Sequence, residues 1–233
     1  MYFQVLGDPH AWPRDGKTPS TACAIIVVDM QHDYCSPGYY IDRAGYDTKR
    51  LSQPIERIQR VLVVARHHGL HVLYTRHGRL PDTDPPDPAS QVREVATPPF
   101  PRTAVRGEPG WQIVQALRPH PADSVVEKST ISAFVSGELD HFLRSKGIRH
   151  LALCGNTIDV CVHSTLRAAI DLGYECLLLE DCCGAVNDGL HRWAVESVKV
   201  ENGVFGTVAS AETFIHAFGH SGVLRPPLSF RFR

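Results

Sequence analysis

Six short apolar runs, each followed by a segment with helical spacing, constrain the fold of this chain more than any other feature. They span residues 23–28, 71–75, 124–128, 151–154, 175–181 and 204–208. Continuous apolar runs this short suit strands buried on both faces, as in parallel sheets. Apolar residues at Ile55, Ile58, Leu62 and Ala65 make residues 51–68 a helix that Gly69 ends. Val162, Leu166, Ala169 and Ile170 do the same for a helix from about residue 159 to Gly173. Residues 138–146, 190–200 and 211–218 read as further helices, and 109–117 as a short one. The alternation predicts an α/β fold in three layers, α/β/α. Its mostly parallel sheet has about six strands, joined by right-handed crossovers.

The same alternation sets the organisation. Pro9, Pro13, Gly16 and Pro19 break any pattern in residues 1–20, which read as an irregular arm packed on a neighbour or loose on the surface. Residues 21–219 form a single domain, and 220–233, with Pro226-Pro227, an extended tail. The proline-rich stretch 80–106 reads as a lid, partner contact or linker within the domain, because alternation resumes after it. Residues 30–45 read as a loop with a turn at Ser36-Pro37-Gly38.

Composition excludes several classes of partner. A net charge of −1 offers no field for nucleic acid or an anionic membrane surface. No apolar run approaches the ~18 residues of a membrane span. The seven cysteines are odd in number, lack zinc spacing and follow no signal peptide, so a reduced, cytoplasmic setting is expected.

Three polar residues stand close behind apolar runs: Asp29 after the first, Lys128 closing the third, and Cys161 after the fourth. In an open parallel sheet, ligands bind outside the carboxyl ends of the strands. Gly155 permits a sharp turn there, and Cys161 falls in the first turn of the helix that follows. Free N–H groups and the helix dipole favour a thiolate at such a position, and a lysine ammonium nearby favours it further. Asp29 could accept the thiol proton and return it to a leaving amine. Taken singly, two of them have a plain alternative: Cys161 as a buried structural cysteine, and Asp29 as a helix cap or turn residue. Tyr34 and Tyr40 could wall a pocket or simply pack.

These residues also carry a resemblance. Ile26-Val27-Val28-Asp29-Met30-Gln31, then Glu127-Lys128 ahead of Phe134, then Gly155-Asn156-Thr157 with Val160-Cys161-Val162 resemble the isochorismatase-like cysteine hydrolases. The resemblance runs from about Ala24 to Phe218. Residues 37–42, 106–111 and 173–185 look most like the ureidoacrylate/biuret amidohydrolase branch; a streptothricin lactam hydrolase is also similar. The resemblance implies a Rossmann-like fold and a triad in which Cys161 is the nucleophile, Asp29 the base and then acid, and Lys128 the electrostatic support. It implies a cis peptide between Asn156 and Thr157, with the Thr157 and Cys161 N–H groups turned toward a developing oxyanion. It further implies a homodimer or homotetramer, and a thioester intermediate in the hydrolysis of a small amide, ureide or lactam.

Departures from the branches narrow this. Nicotinamidases carry an Asp-x-His metal element, whereas Arg76-His77-Gly78 offers no second histidine at ligand spacing. No metal and no cofactor are expected, and His77 reads as a loop or substrate-pocket residue. Biuret hydrolases resemble Lys-x-x-Lys where this chain has Lys128-Ser129-Thr130-Ile131, so Ile131 removes a donor for biuret. Phe134 and Ile131 are then candidate pocket residues. Glu201 stands where biuret hydrolases resemble glutamine. In a pocket it would favour a cationic or NH-rich substrate such as streptothricin; otherwise it is a solvated residue before a turn. Ureidoacrylate or a longer ureide stays open beside the lactam. The competing classes are an ester or ether hydrolase on this scaffold and a non-catalytic small-molecule binding protein.

Overall fold

The computed structural model describes residues 1–79 and 104–219. Most of the proline-rich 80–106 connection and the 220–233 tail lie outside the described residues. The sheet has six strands: β1 (Cys23–Val28), β2 (His71–His77), β3 (Ser124–Lys128), β4 (His150–Gly155), β5 (Glu175–Cys183) and β6 (Thr207–Ala209). Their order is β3-β2-β1-β4-β5-β6, and every pairing is parallel. The central strands β1 and β4 are apolar and buried along nearly their whole length, which is what helices on both faces demand.

From β1 the chain winds outward through β2 to β3; from β4 it winds the other way through β5 to β6. The reversal lies between the carboxyl ends of β1 and β4, where open α/β sheets open a crevice for ligands. Gly155 is essential to this junction. Its φ is 113°, and a Cβ there would run into the Val28 carbonyl oxygen and lie 2.7 Å from the Val28 nitrogen. The first and fourth strands approach so closely because that residue has no side chain.

The helices are α1 (His32–Cys35), α2 (Tyr40–Arg43), α3 (Thr48–Ser52), α4 (Ile55–His67), α5 (Glu138–Ser145), α6 (His163–Asp171), α7 (Asp188–Gly203) and α8 (Ala211–His216). The 51–68 helix expected from spacing is interrupted, because Pro54 has no N–H to continue a helix and instead starts α4. The 30–45 loop contains two short helical turns, α1 and α2. The helix expected from about residue 159 opens with one turn of π-helix, Ile158–Val162, and becomes α-helical at His163. Residues 109–117 form two 3₁₀ turns, Pro109–Trp111 and Gln115–Leu117. No helix among the described residues is long and apolar enough to cross a membrane.

The N-terminal arm is neither loose nor peripheral. Val5 and Trp12 pair through backbone hydrogen bonds of 2.6 and 2.9 Å, and Asp8 bonds both ways with Val208 of β6 at 2.9 Å. Trp12 is fully buried, and its indole N–H donates to the Glu175 carbonyl at 3.2 Å. Phe3 stacks near Phe218 with ring centroids 4.3 Å apart. Prolines break secondary structure, but they do not stop aromatic residues from burying area. Trp12→Ala is therefore expected to lower unfolding free energy by about 3–5 kcal/mol, read by urea denaturation. A loose arm would give no change.

Candidate active site

The site is assembled at the reversal point. β1 ends at Val28, and Asp29 turns the chain with a left-handed backbone, φ 48°. Its N–H donates to the Thr75 carbonyl at 3.2 Å, which fixes the turn to β2. Thr75 Oγ1 in turn donates to Asp29 Oδ1 at 2.6 Å. Lys128, the last residue of β3, reaches past the end of β2, and its Nζ lies 2.6 Å from Asp29 Oδ2. Both partners are buried. The Lys128 ammonium also donates to the carbonyls of Thr130 and Ile131, each at 3.0 Å. Burial alone would push Lys128 toward the neutral amine; the Asp29 carboxylate in contact with it opposes that, so its pKa is raised and the ammonium persists.

Cys161 sits in the π-turn, close enough to Asp29 and Lys128 for both charges to act on its thiol. Of the seven cysteines it is the one that is not fully buried. Its thiol does not follow the expectation from the helix dipole and the lysine. Burial first, and the Asp29 carboxylate second, push its pKa up to about 12 against the opposing pull of Lys128. The resting group is a neutral thiol with a carboxylate base beside it. Asp29, the expected proton acceptor, also disfavours by its charge a second anion beside it.

The other nominated residues fall into separate groups. His77 ends β2 directly opposite Lys128, and its Nδ1 lies 3.3 Å from the Thr130 carbonyl that Lys128 also uses. Ile131 supplies that lysine with a carbonyl. Tyr34 and Tyr40 are half-buried and meet edge to face, ring centroids 6.3 Å apart. The Asn156–Thr157 peptide is cis. Asn156 turns its side chain toward Cys35 and Leu51. Phe134 belongs to the core: it is buried, and its ring packs on Tyr174, which precedes β5, at 5.7 Å. Glu201 is not brought to the triad. It is exposed, with φ 50°, where α7 breaks up before β6. That end of α7 leads into the start of a strand, so Glu201 lies at the sheet edge opposite Lys128. Among the described residues, no three His, Cys, Asp or Glu side chains converge as a metal site.

Sequence reasoning passed over Thr75. Its signal was present: a hydroxyl ending the otherwise apolar run Val72-Leu73-Tyr74, two residues before His77. Hydrogen bonds to charged groups carry about 1.5–3 kcal/mol. Thr75→Val is expected to lower kcat about tenfold or more while KM holds, because it frees one oxygen of Asp29 to rotate. Unchanged kcat would show that Lys128 alone orients the carboxylate.

Comparison with known proteins agrees with this architecture. The family model described as the isochorismatase domain matches residues 23–213. The ureidoacrylate amidohydrolase RutB of Caulobacter segnis is 33% identical over 222 residues, 91% of this chain and 90% of that protein. The protein of the same name from Acinetobacter baylyi is 32% identical, covering 85% of this chain and 84% of its own length. Among solved structures, a cysteine hydrolase from Pseudomonas syringae pv. phaseolicola superposes with a TM-score of 0.72 at 25% identity, covering 87% of this chain and 95% of its own. The domain match and the identity of these relatives over most of its length show that this chain belongs to the isochorismatase family.

Proposed function

We propose that the chain is a cysteine-dependent amidohydrolase that cleaves a non-peptide C–N bond in a small ureide or amide through a thioester. The observation that carries the reading is the 2.6 Å contact of Asp29 with Lys128, with the Cys161 thiol within reach of both charges. Three residues far apart in sequence meet at the strand ends in the arrangement a nucleophile, its base and a fixed counter-charge require. The curated relatives named as ureidoacrylate amidohydrolases, aligned over most of the chain, support the reaction class.

The chemistry follows from the protonation states. Asp29 takes the thiol proton as Cys161 sulfur attacks the carbonyl carbon. The oxyanion is met by the N–H groups of Thr157 and Cys161. Collapse breaks the C–N bond, and Asp29 passes its proton to the departing nitrogen. Water then attacks the thioester carbonyl and gives a proton to Asp29. Cys161 leaves as sulfur anion and recovers its proton from that carboxyl. Lys128 remains an ammonium throughout and keeps Asp29 in place.

Substrate preference follows from placement. Glu201 lies away from the triad, which removes the argument for a basic lactam. Ile131, where a second lysine would stand, weighs against biuret. Ureidoacrylate and related N-carbamoyl compounds are favoured. The test is ammonia or amine release from ureidoacrylate, N-carbamoyl amino acids, biuret, nicotinamide and streptothricin. Release from the first two groups above the rest is expected; no release from any would overturn the amidohydrolase reading and leave an ester or ether hydrolase or a binding protein.

A further inference from the structure

Asn156 carries more contacts than a turn residue needs. Its carboxamide is buried, and Nδ2 donates to the Leu51 carbonyl at 2.9 Å and to the Cys35 sulfur at 3.2 Å. Its backbone N–H donates to the Val28 carbonyl at 2.9 Å. Its Oδ1 lies where a side chain on residue 184 would be, so Gly184 leaves the room for it; a Cβ there would also come 2.9 Å from the Leu51 Cα. The carboxamide has one acceptable orientation. Turned over, its oxygen would face the Leu51 carbonyl, acceptor against acceptor. Cys35 belongs to α1 and Leu51 to α3, so a side chain from the β4 turn is gripped by two helical segments on the far side of that turn.

We infer that Asn156 is a positioning residue for the oxyanion-binding turn, and that the Cys35 sulfur and the Leu51 carbonyl form the socket that holds it. The inference rests on the proposed role of the Thr157 N–H. That N–H belongs to the peptide whose carbonyl carbon is Asn156's own. A carboxamide anchored at both ends of one residue, backbone to Val28 and side chain to Cys35 and Leu51, leaves that peptide no freedom to swing. An oxyanion donor is effective because its direction is fixed before charge develops. Cys35 is thus tied to the reaction without touching substrate.

The test uses the full chain with whichever panel compound it turns over fastest, alongside iodoacetamide labelling of Cys161 at alkaline pH. Alkylation develops no oxyanion, so it reports the thiol without the turn. Asn156→Ala is expected to lower kcat by about 10²-fold, the scale of losing one oxyanion donor. Cys35→Ala is expected to lower it about tenfold, the scale of one hydrogen bond. In both, KM and the labelling rate stay near those of the parent chain. Cys35→Ser, which keeps an acceptor in place, restores most of the loss. Parent-like kcat in both alanine variants overturns the inference, as does a parallel fall of kcat and labelling. Turnover that survives in Cys161→Ala instead defeats the functional reading itself, and a chain that turns over none of the panel defeats both.

Discussion

Replacing Cys161 by alanine is expected to give a folded protein that still takes up its amide and releases no nitrogen from it. The sulfur is the atom that would bond the carbonyl carbon, and no other cysteine could take its place, since the other six are buried. Removing a nucleophile of this kind costs about 10⁴-fold or more, with only the rate from binding and the oxyanion donors left. Intact-mass measurement gives the second readout. The parent chain, quenched in acid during turnover, should gain the acyl group on Cys161, and the alanine variant should gain nothing. Turnover within tenfold of the parent would refute a thioester route. Water activated directly by Asp29 would then have to be the attacking species.

The second large effect separates two roles of one carboxylate. Asp29→Asn keeps size and shape but removes a charge and a proton acceptor. Turnover is expected to fall about 10²–10⁴-fold, the usual contribution of a positioned base. Thiol reactivity should move the other way. The Asp29 charge holds the Cys161 pKa up, toward its value of about 12, and Lys128 pulls it down. With the carboxylate neutral, only burial still opposes the ammonium, and the thiolate forms at lower pH. Iodoacetamide labelling of Cys161 near pH 8 should therefore accelerate in a variant that has lost turnover. If labelling slows together with turnover, Asp29 serves mainly to assemble the site. Many cysteine enzymes store a preformed anion; this arrangement instead creates one as the proton moves.

Strand positions were legible because a strand buried on both faces has to be a short unbroken apolar run, and β1 and β4 are little else. The ends of β1 and β3 were legible for the same reason: Asp29 and Lys128 are where those runs stop. What escaped depends on neighbours far along the chain. Pro54 was visible as a residue, but not that two helices would share its turn. Trp12 sits among prolines, and only its position against β5 shows it to be core. The charge state of Cys161 reversed because proximity of Lys128 was legible while depth of burial was not. Glu201 and Phe134 were candidates through the family resemblance, and which face or edge they occupy follows from the path of α7 and the packing of Tyr174.

The bond between Asp8 and Val208 has a consequence for how copies of the protein meet. β6 is the last strand of the sheet, and an outermost strand offers unsatisfied N–H and C=O groups to any other extended chain. The amino-terminal segment occupies part of that rim and, with its prolines close by, cannot itself extend into a template. Fusions or tags placed at the amino terminus therefore act on colloidal behaviour as well as on folding: pulling this segment away would expose an adhesive border about 200 residues along the chain from the point of attachment.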